Sequence, residues 1–382
     1  MRLRLREPLL YRWLKLKRAL DRRPRPAGEL GTPAIRRILA ISCTALGDTL
    51  LSTPGLRALR QAYPQAHITL LVHPALQGLF TGLAEVDELI SYDGKWRHFS
   101  RTARQLKGYD LAAIFHGNEP QATPLAYLSG ARHIFKLPNV NRWNFLLSNR
   151  QPLVGWDELG HGLDQRLAVA RLAGAAGELS RRMSVPLPAA GEAAVNQALA
   201  ERGWQEATVI AFQPGASTMS RRWPRARFIA AAVQLAQTRP DLRFVVTGSP
   251  AEAALCQEVA AGIEAAAPLA GGSRAWASAG QLPLLALPAL LKRASLLVSG
   301  DTGPMHLAVT VETPVVALFA VSDPARSGPG YDLDKHVVIR KWRTCDPCFS
   351  KNCPYPEPIC MDNIAVEEVV AAVDGILSRK AR

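Results

Sequence analysis

Arg37-Ile38-Leu39-Ala40-Ile41-Ser42 runs into Cys43-Thr44-Ala45-Leu46-Gly47-Asp48, and then Leu50, Leu51, Leu56 and Leu59 recur at helical spacing over 49–63. A short apolar run, a small loop and an amphipathic helix, in that order, open a βαβ unit. His67-Ile68-Thr69-Leu70-Leu71-Val72 reads as the next strand, followed by 86–90 and by 111–115, which ends at His116-Gly117-Asn118. Near-continuous apolar strands separated by helical stretches predict a parallel sheet covered on both faces. A second set follows the same rhythm. Strands are expected at 208–212, 244–247, 296–299 and 315–319, and helices at 225–238, 250–261, 284–294, 305–311 and 366–377.

Between the two sets, residues 175–205 are rich in Ala, Gly, Pro and Glu, and Val185-Pro186-Leu187-Pro188 interrupts any helix. The expected division is an N-terminal extension at 1–34, a first Rossmann-like domain at 35–185 and a linker at 186–205. A second Rossmann-like domain at 206–361 and a C-terminal helix at 362–382 complete it. With 382 residues, two domains is the ordinary expectation. Ligands of such sheets bind beyond the carboxyl ends of the strands, so the informative loops are those that follow strands.

Charge is unevenly placed. The chain carries a net +14, and residues 1–30 hold ten Lys or Arg against Glu7, Asp21 and Glu29, a net +7. Leu9, Leu10, Trp13, Leu14, Leu16 and Leu20 are interleaved with these charges. That mixture reads as an interfacial helix for an anionic membrane surface, with a solvated basic tail as the plainer alternative. No nucleic-acid motif joins the basic residues, so nucleic acid is not an expected partner. The uncharged run at residues 275–291 contains Pro283 and Pro288 and falls short of a membrane span. No signal peptide is expected, and the expected location is cytoplasmic, peripheral at the inner membrane.

Three post-strand loops carry the chemistry. In the first, Gly47 permits close approach and Asp48 stands at a helix start. Asp48 is either a helix N-cap or a carboxylate able to take a proton from a hydroxyl. His116 and Asn118 follow another strand of the same set. The second loop is Gln213-Pro214-Gly215-Ala216-Ser217-Thr218 with Ser220-Arg221-Arg222-Trp223-Pro224. A glycine turn, hydroxyls and paired arginines make a phosphate site, or else a solvated basic loop. The third is Ser299-Gly300-Asp301-Thr302-Gly303-Pro304-Met305-His306, a strand end opening a helix, where free N–H groups attract a diphosphate. Asp301 has no cationic neighbour in the sequence, which assigns it to sugar hydroxyls. No Gly-x-Gly-x-x-Gly and no Walker loop stands at a strand end, which argues against hydride transfer and P-loop chemistry.

These three loops, in this order, resemble glycosyltransferase family 9, the family of ADP-heptose:lipopolysaccharide heptosyltransferases. The residues that carry the resemblance are Gly300 to Ala308 with Thr313 to Phe319 and Asp323-Pro324, then Ala45 to Asp48 with Thr53-Pro54 and Leu56 to Leu59, then Gln213 to Ala216 with Arg222-Trp223-Pro224. The resemblance spans about residues 35–375. It implies a GT-B fold, two Rossmann-like domains with parallel sheets facing across a cleft, and an inverting transfer of heptose from ADP-heptose without a catalytic metal. The acceptor would be a lipid-linked glycan such as the lipopolysaccharide core. A protein acceptor, of the autotransporter type, and a non-catalytic nucleotide-sugar binder are the alternatives. On the resemblance, Asp48 is the base, with Gly47, His116 and Asn118 on the acceptor side. Ser217, Thr218, Arg221, Arg222, Glu252, Asp301, Thr302, Gly303 and His306 fall on the donor side. Arg221 stands where the family often has Lys, and residues 1–34 have no counterpart in the family's core pattern.

Six cysteines remain. Cys43 and Cys256 lie in apolar runs and read as inert core thiols. Cys345, Cys348, Cys353 and Cys360 are spaced C-x2-C-x4-C-x6-C. Four thiolates at close spacing suit a structural Zn or Fe site, with free or redox-labile thiols as the alternative.

Overall fold

The computed structural model describes residues 3–117, 120–342, 344, 345, 353, 355 and 359–380. The chain forms two compact units, Met1–Pro186 and Leu187–Arg382.

The first unit holds a sheet of five strands: β1 (Arg37–Ser42), β2 (His67–Val72), β3 (Glu88–Ser91), β4 (Leu111–His116) and β5 (His133–Lys136). Their order is β3-β2-β1-β4-β5, and each adjacent pair is parallel. Strands β1, β2 and β4 are buried almost throughout because helices cover both faces. Chain order reverses between β1 and β4, which makes their carboxyl ends the switch point of this sheet. The register there is irregular. Ile41 pairs with Ile114, but Ser42 pairs with His116, so one residue of β4 is extra. Such a bulge re-aims the side chain beside it, here His116.

The second unit holds six parallel strands in the order β11-β10-β9-β6-β7-β8. They are β6 (Val209–Gln213), β7 (Arg243–Val246), β8 (Ala275–Ala277), β9 (Leu296–Gly300), β10 (Val315–Phe319) and β11 (Val337–Arg340). The switch point lies between β6 and β9, which are hydrogen-bonded neighbours. Phe212, Phe228, Phe244 and Trp223 pack in the core, joined by Val369, Val373 and Ile376 of the C-terminal helix Val366–Lys380.

Two segments differ from their sequence reading. The expected linker at 186–205 contains a helix, Ala189–Ala200, which belongs to the second unit. Pro188 is its N-cap residue, so the prolines precede the helix and do not break it. An added Cβ at Gly191 would come within 2.6 Å of the Leu285 carbonyl oxygen, so this helix lies close against its neighbour. The N-terminal extension is not a free tail. Its helix α1 (Leu3–Ala19) buries Leu14 completely and packs Tyr11 against Trp143 and Phe145 at ring distances of 5.4 and 5.3 Å. The chain after it is also pinned, because Arg25 Nε donates to the Arg132 carbonyl and Tyr127 donates to Asp21.

Candidate active site

The first cluster stands at the β1–β4 switch point. Helix α2 (Leu46–Ala62) begins with Ala45 as its N-cap, which places Asp48 in the third helical position. Asp48 therefore does not cap the helix, and its carboxylate is directed elsewhere. Oδ2 accepts from the Thr44 hydroxyl at 3.0 Å. Oδ1 accepts from Arg166 Nη2 at 3.2 Å and lies 3.5 Å from His116 Nε2. Thr44 Oγ1 is in turn 2.8 Å from His116 Nδ1. When Thr44 gives its single proton to Asp48, it can only accept from His116, which fixes the Nδ1–H tautomer.

Arg166 is the member of this cluster that the sequence did not disclose. It comes from the helix Gly162–Leu172, and its side chain is 4 % exposed. Nη1 donates to Gln165 Oε1 at 2.7 Å and to the Gly162 carbonyl at 3.2 Å, and Gln165 donates to the Leu137 carbonyl at 2.8 Å. Burial pushes the Arg166 pKa down and the Asp48 charge opposes it. Burial likewise lowers the His116 pKa, with Asp48 raising it and Arg166 and Lys136 lowering it further. Burial thus favours the uncharged form of His116, and Arg166 orients the Asp48 carboxylate. The Asp48 side chain keeps 28 % exposure, so a hydroxyl can reach it. Gly47 is buried in the first turn of α2. Asn118 lies outside the described residues.

The second cluster stands at the β6–β9 switch point. After β6, Gln213 donates to the Gly215 carbonyl at 3.1 Å. Arg222 donates through Nε and Nη2 to the Ala216 carbonyl at 3.0 and 2.8 Å, so its fork holds the loop together. Arg221 turns the other way, and its Nη1 lies 3.4 Å from Asp301 Oδ2. The sequence offered Asp301 no cationic neighbour. The fold supplies one from another loop, and Asp301 is only 7 % exposed. Backbones meet here too, since a Cβ on Gly300 would stand 2.4 Å from the Arg221 carbonyl oxygen. Ser217 is exposed and Thr218 half-buried, with Ser220 donating to Thr218 at 3.3 Å. Trp223 anchors the far end of the loop by donating Nε1–H to the Ile364 carbonyl at 3.0 Å.

Thr302 caps the helix Gly303–Thr310. Its hydroxyl oxygen accepts from Met305 N and lies 2.8 Å from Ser299 Oγ. Gly303 is the first residue of that helix and His306 is buried within it. Glu252 lies against the β6 loop. Its Oε2 accepts from Ser249 N and Oγ at 2.8 and 2.9 Å, while Oε1 would be 2.1 Å from any Cβ on Gly215. The arrangement is thus a cationic side chain, the start of a helix and two nearby carboxylates, gathered over one switch point.

Of the four clustered cysteines, Cys360 is buried, Cys345 and Cys353 are half-buried, and Cys348 lies outside the described residues. Among the described residues no three His, Cys, Asp or Glu side chains converge on a metal-sized site.

Residues 164–358 match the family model for glycosyltransferase family 9 (heptosyltransferase). Lipopolysaccharide heptosyltransferase 1 of Pseudomonas aeruginosa is 22% identical over 378 residues, covering 89% of this chain and 98% of that protein. Lipopolysaccharide heptosyltransferase 2 of Salmonella typhimurium is 26% identical over 313 residues, with 77% and 85% covered. The solved structure of the Escherichia coli ADP-heptose lps heptosyltransferase II matches with a TM-score of 0.71 at 21% identity, over 91% of this chain and 100% of that one. That likeness bears on the fold, which is of the GT-B class.

Proposed function

The chain belongs to glycosyltransferase family 9, and on that footing we propose that it moves heptose from ADP-heptose to a lipopolysaccharide-core acceptor, with inversion and without a catalytic metal. The observation that carries the mechanism is the Asp48–Arg166 pair beside His116 at the β1–β4 switch point. An acceptor hydroxyl is a poor nucleophile at pH 7. Asp48 removes its proton as the new C–O bond forms, a contribution of about 10²–10⁴ in rate. The bond between the anomeric carbon and the diphosphate oxygen breaks on the opposite face, and ADP leaves. Arg166 holds the carboxylate in one orientation, and Thr44 fixes its second oxygen.

Negative charge grows on the departing diphosphate. Arg221, Ser217 and the helix start at Thr302 and Gly303 stabilise it, as preorganised donors do in an oxyanion hole. Positive side chains and N–H groups supply the counter-charge that a divalent ion supplies elsewhere. Arg222 acts through the loop it holds, and Glu252 is the candidate for the donor ribose. The four-cysteine segment is proposed as a structural Zn or Fe site on its donor set alone. No transfer step passes through it, and elemental analysis of the purified protein tests it.

The acceptor proposed is lipid-linked, reached at the cytoplasmic face of the inner membrane, with the basic segment 1–30 drawn to anionic lipid. No helix among the described residues is long and apolar enough to cross a membrane. The test is ADP release from ADP-heptose with and without a truncated lipopolysaccharide-core acceptor. The reading expects release that depends on that acceptor. Release that depends on a protein acceptor, or donor binding with no turnover on any acceptor, overturns it.

A further inference from the structure

Helix α1 has two apolar faces, and the fold uses only one. Leu10, Tyr11 and Leu14 face the first unit's core. Leu9, Trp13 and Leu16, with Leu20 just past the helix end and bonded back through its N–H to the Leu16 carbonyl, recur on the other side at spacings of four, three and four, and they are 64, 48, 61 and 70 % exposed. Docking needs one apolar stripe, and a second, outward stripe of three leucines and a tryptophan has no role inside the molecule.

The outward stripe borders a groove of about 640 Å³ between α1 and the end of the helix Ala122–Leu128. Leu16, Leu20 and Leu128 give the groove apolar walls, and Lys17 and Arg23 stand in its lining. Lys17 also sits over the Trp13 ring at 5.0 Å. Arg12, Lys15, Lys17 and Arg22 are exposed around the stripe. The two carboxylates of this stretch are already neutralised, Glu7 by Arg142 and Asp21 by Arg23 and Arg25. The face therefore offers apolar surface ringed by uncompensated positive charge, which complements an anionic phospholipid bilayer.

We propose that α1 is a preformed membrane wedge. Its inner face is locked to the first unit by Leu14 and Tyr11, and its outer stripe, Leu9, Trp13, Leu16 and Leu20, inserts among anionic lipids beside the groove. This rests on the membrane reading given above and sharpens it. Attraction of a basic segment needs charge alone, whereas a docked wedge also needs the outer stripe and presents the first unit to the bilayer in one fixed orientation.

The experiment is co-sedimentation of the full chain with phosphatidylcholine vesicles, with and without phosphatidylglycerol, at low and high salt. Its companion is a fourfold variant, Leu9→Gln, Trp13→Gln, Leu16→Gln and Leu20→Gln, which keeps every charge. These side chains are exposed, so the variant's melting temperature should match wild type, which establishes that it folds. The expected result is wild-type binding to phosphatidylglycerol vesicles that is weakened more than about tenfold in the variant. Equal binding and equal salt release of the two proteins overturns the wedge while leaving electrostatic attraction standing. Absence of wild-type binding overturns both. A wild-type dimer that the variant dissolves, with no vesicle binding, assigns the stripe to a second copy of the chain and also overturns the proposal.

Discussion

Arg221 and Asp301 come from loops after different strands, yet Arg221 Nη1 lies 3.4 Å from Asp301 Oδ2. The pair ties the loop after β6 to the loop after β9 across the switch point of the second sheet. It also makes each residue answerable for the other's position.

Asp301→Ala should weaken donor binding and turnover together. On the proposed reading it removes a donor contact held in both ground and transition states, and it frees Arg221 from its partner. A double-mutant cycle with Arg221→Gln should show coupling of about 0.5 kcal/mol or more, measured as donor affinity by calorimetry. Strict additivity would mean that the two side chains act separately.

Gly300→Ala is the corresponding backbone test. The new Cβ would meet the Arg221 carbonyl oxygen at 2.4 Å, so one loop must move. Overpacking of this kind costs about 1–3 kcal/mol, and the displacement falls on the loops that the proposal assigns to the donor. Thermal melting should fall and donor affinity should fall with it.

Arg166→Lys and Arg166→Gln should separate charge from geometry at the first cluster. Lys keeps a cation but loses the fork that reaches Asp48, Gln165 and Gly162 together. A misplaced base lowers kcat by up to about 10²-fold, with donor affinity little changed. Gln should lose more than Lys, because the carboxylate then loses its cation as well as the fork.

Acid stability should report buried histidine. Burial holds the His336 pKa down to about 4, with Asp332 opposing and Lys335 assisting, while its Nδ1 accepts from Val315 N at 3.2 Å. The unfolded chain takes up this proton below about 6.5 and the folded chain does not until about 4. The unfolded state thus binds more protons in that window, so stability falls as pH drops through it, by up to about 3 kcal/mol. Burial of His116 and His133 acts in the same direction. Denaturant melts at pH 7 and pH 5 check this, and His336→Asn should flatten the difference.

The central strands were legible because parallel strands buried on both faces read as unbroken apolar runs, as in Leu39-Ala40-Ile41 or Leu296-Leu297-Val298. Three of the four edge strands were not, β3 at Glu88–Ser91 being the exception. His133–Lys136, Ala275–Ala277 and Val337–Arg340 are three or four residues long and lie at sheet margins, where an apolar run on both faces is not required. The loops that bear Asp48, Arg221 and Asp301 were legible because each follows a strand that could be read. Arg166 was not, since nothing local distinguishes an arginine that pairs across the fold from one in solvent. The helix Ala189–Ala200 was missed because prolines before a helix look like prolines that end one.

The base assignment is tested most directly by Asp48→Asn in the full chain, with kcat measured on ADP-heptose and a truncated core acceptor and donor affinity measured by calorimetry. The substitution keeps the shape of the side chain and removes its ability to accept a proton. Donor affinity should match wild type while kcat falls by about 10² or more. Turnover within a few-fold of wild type would contradict the account and leave Asp48 as a partner for Arg166 alone.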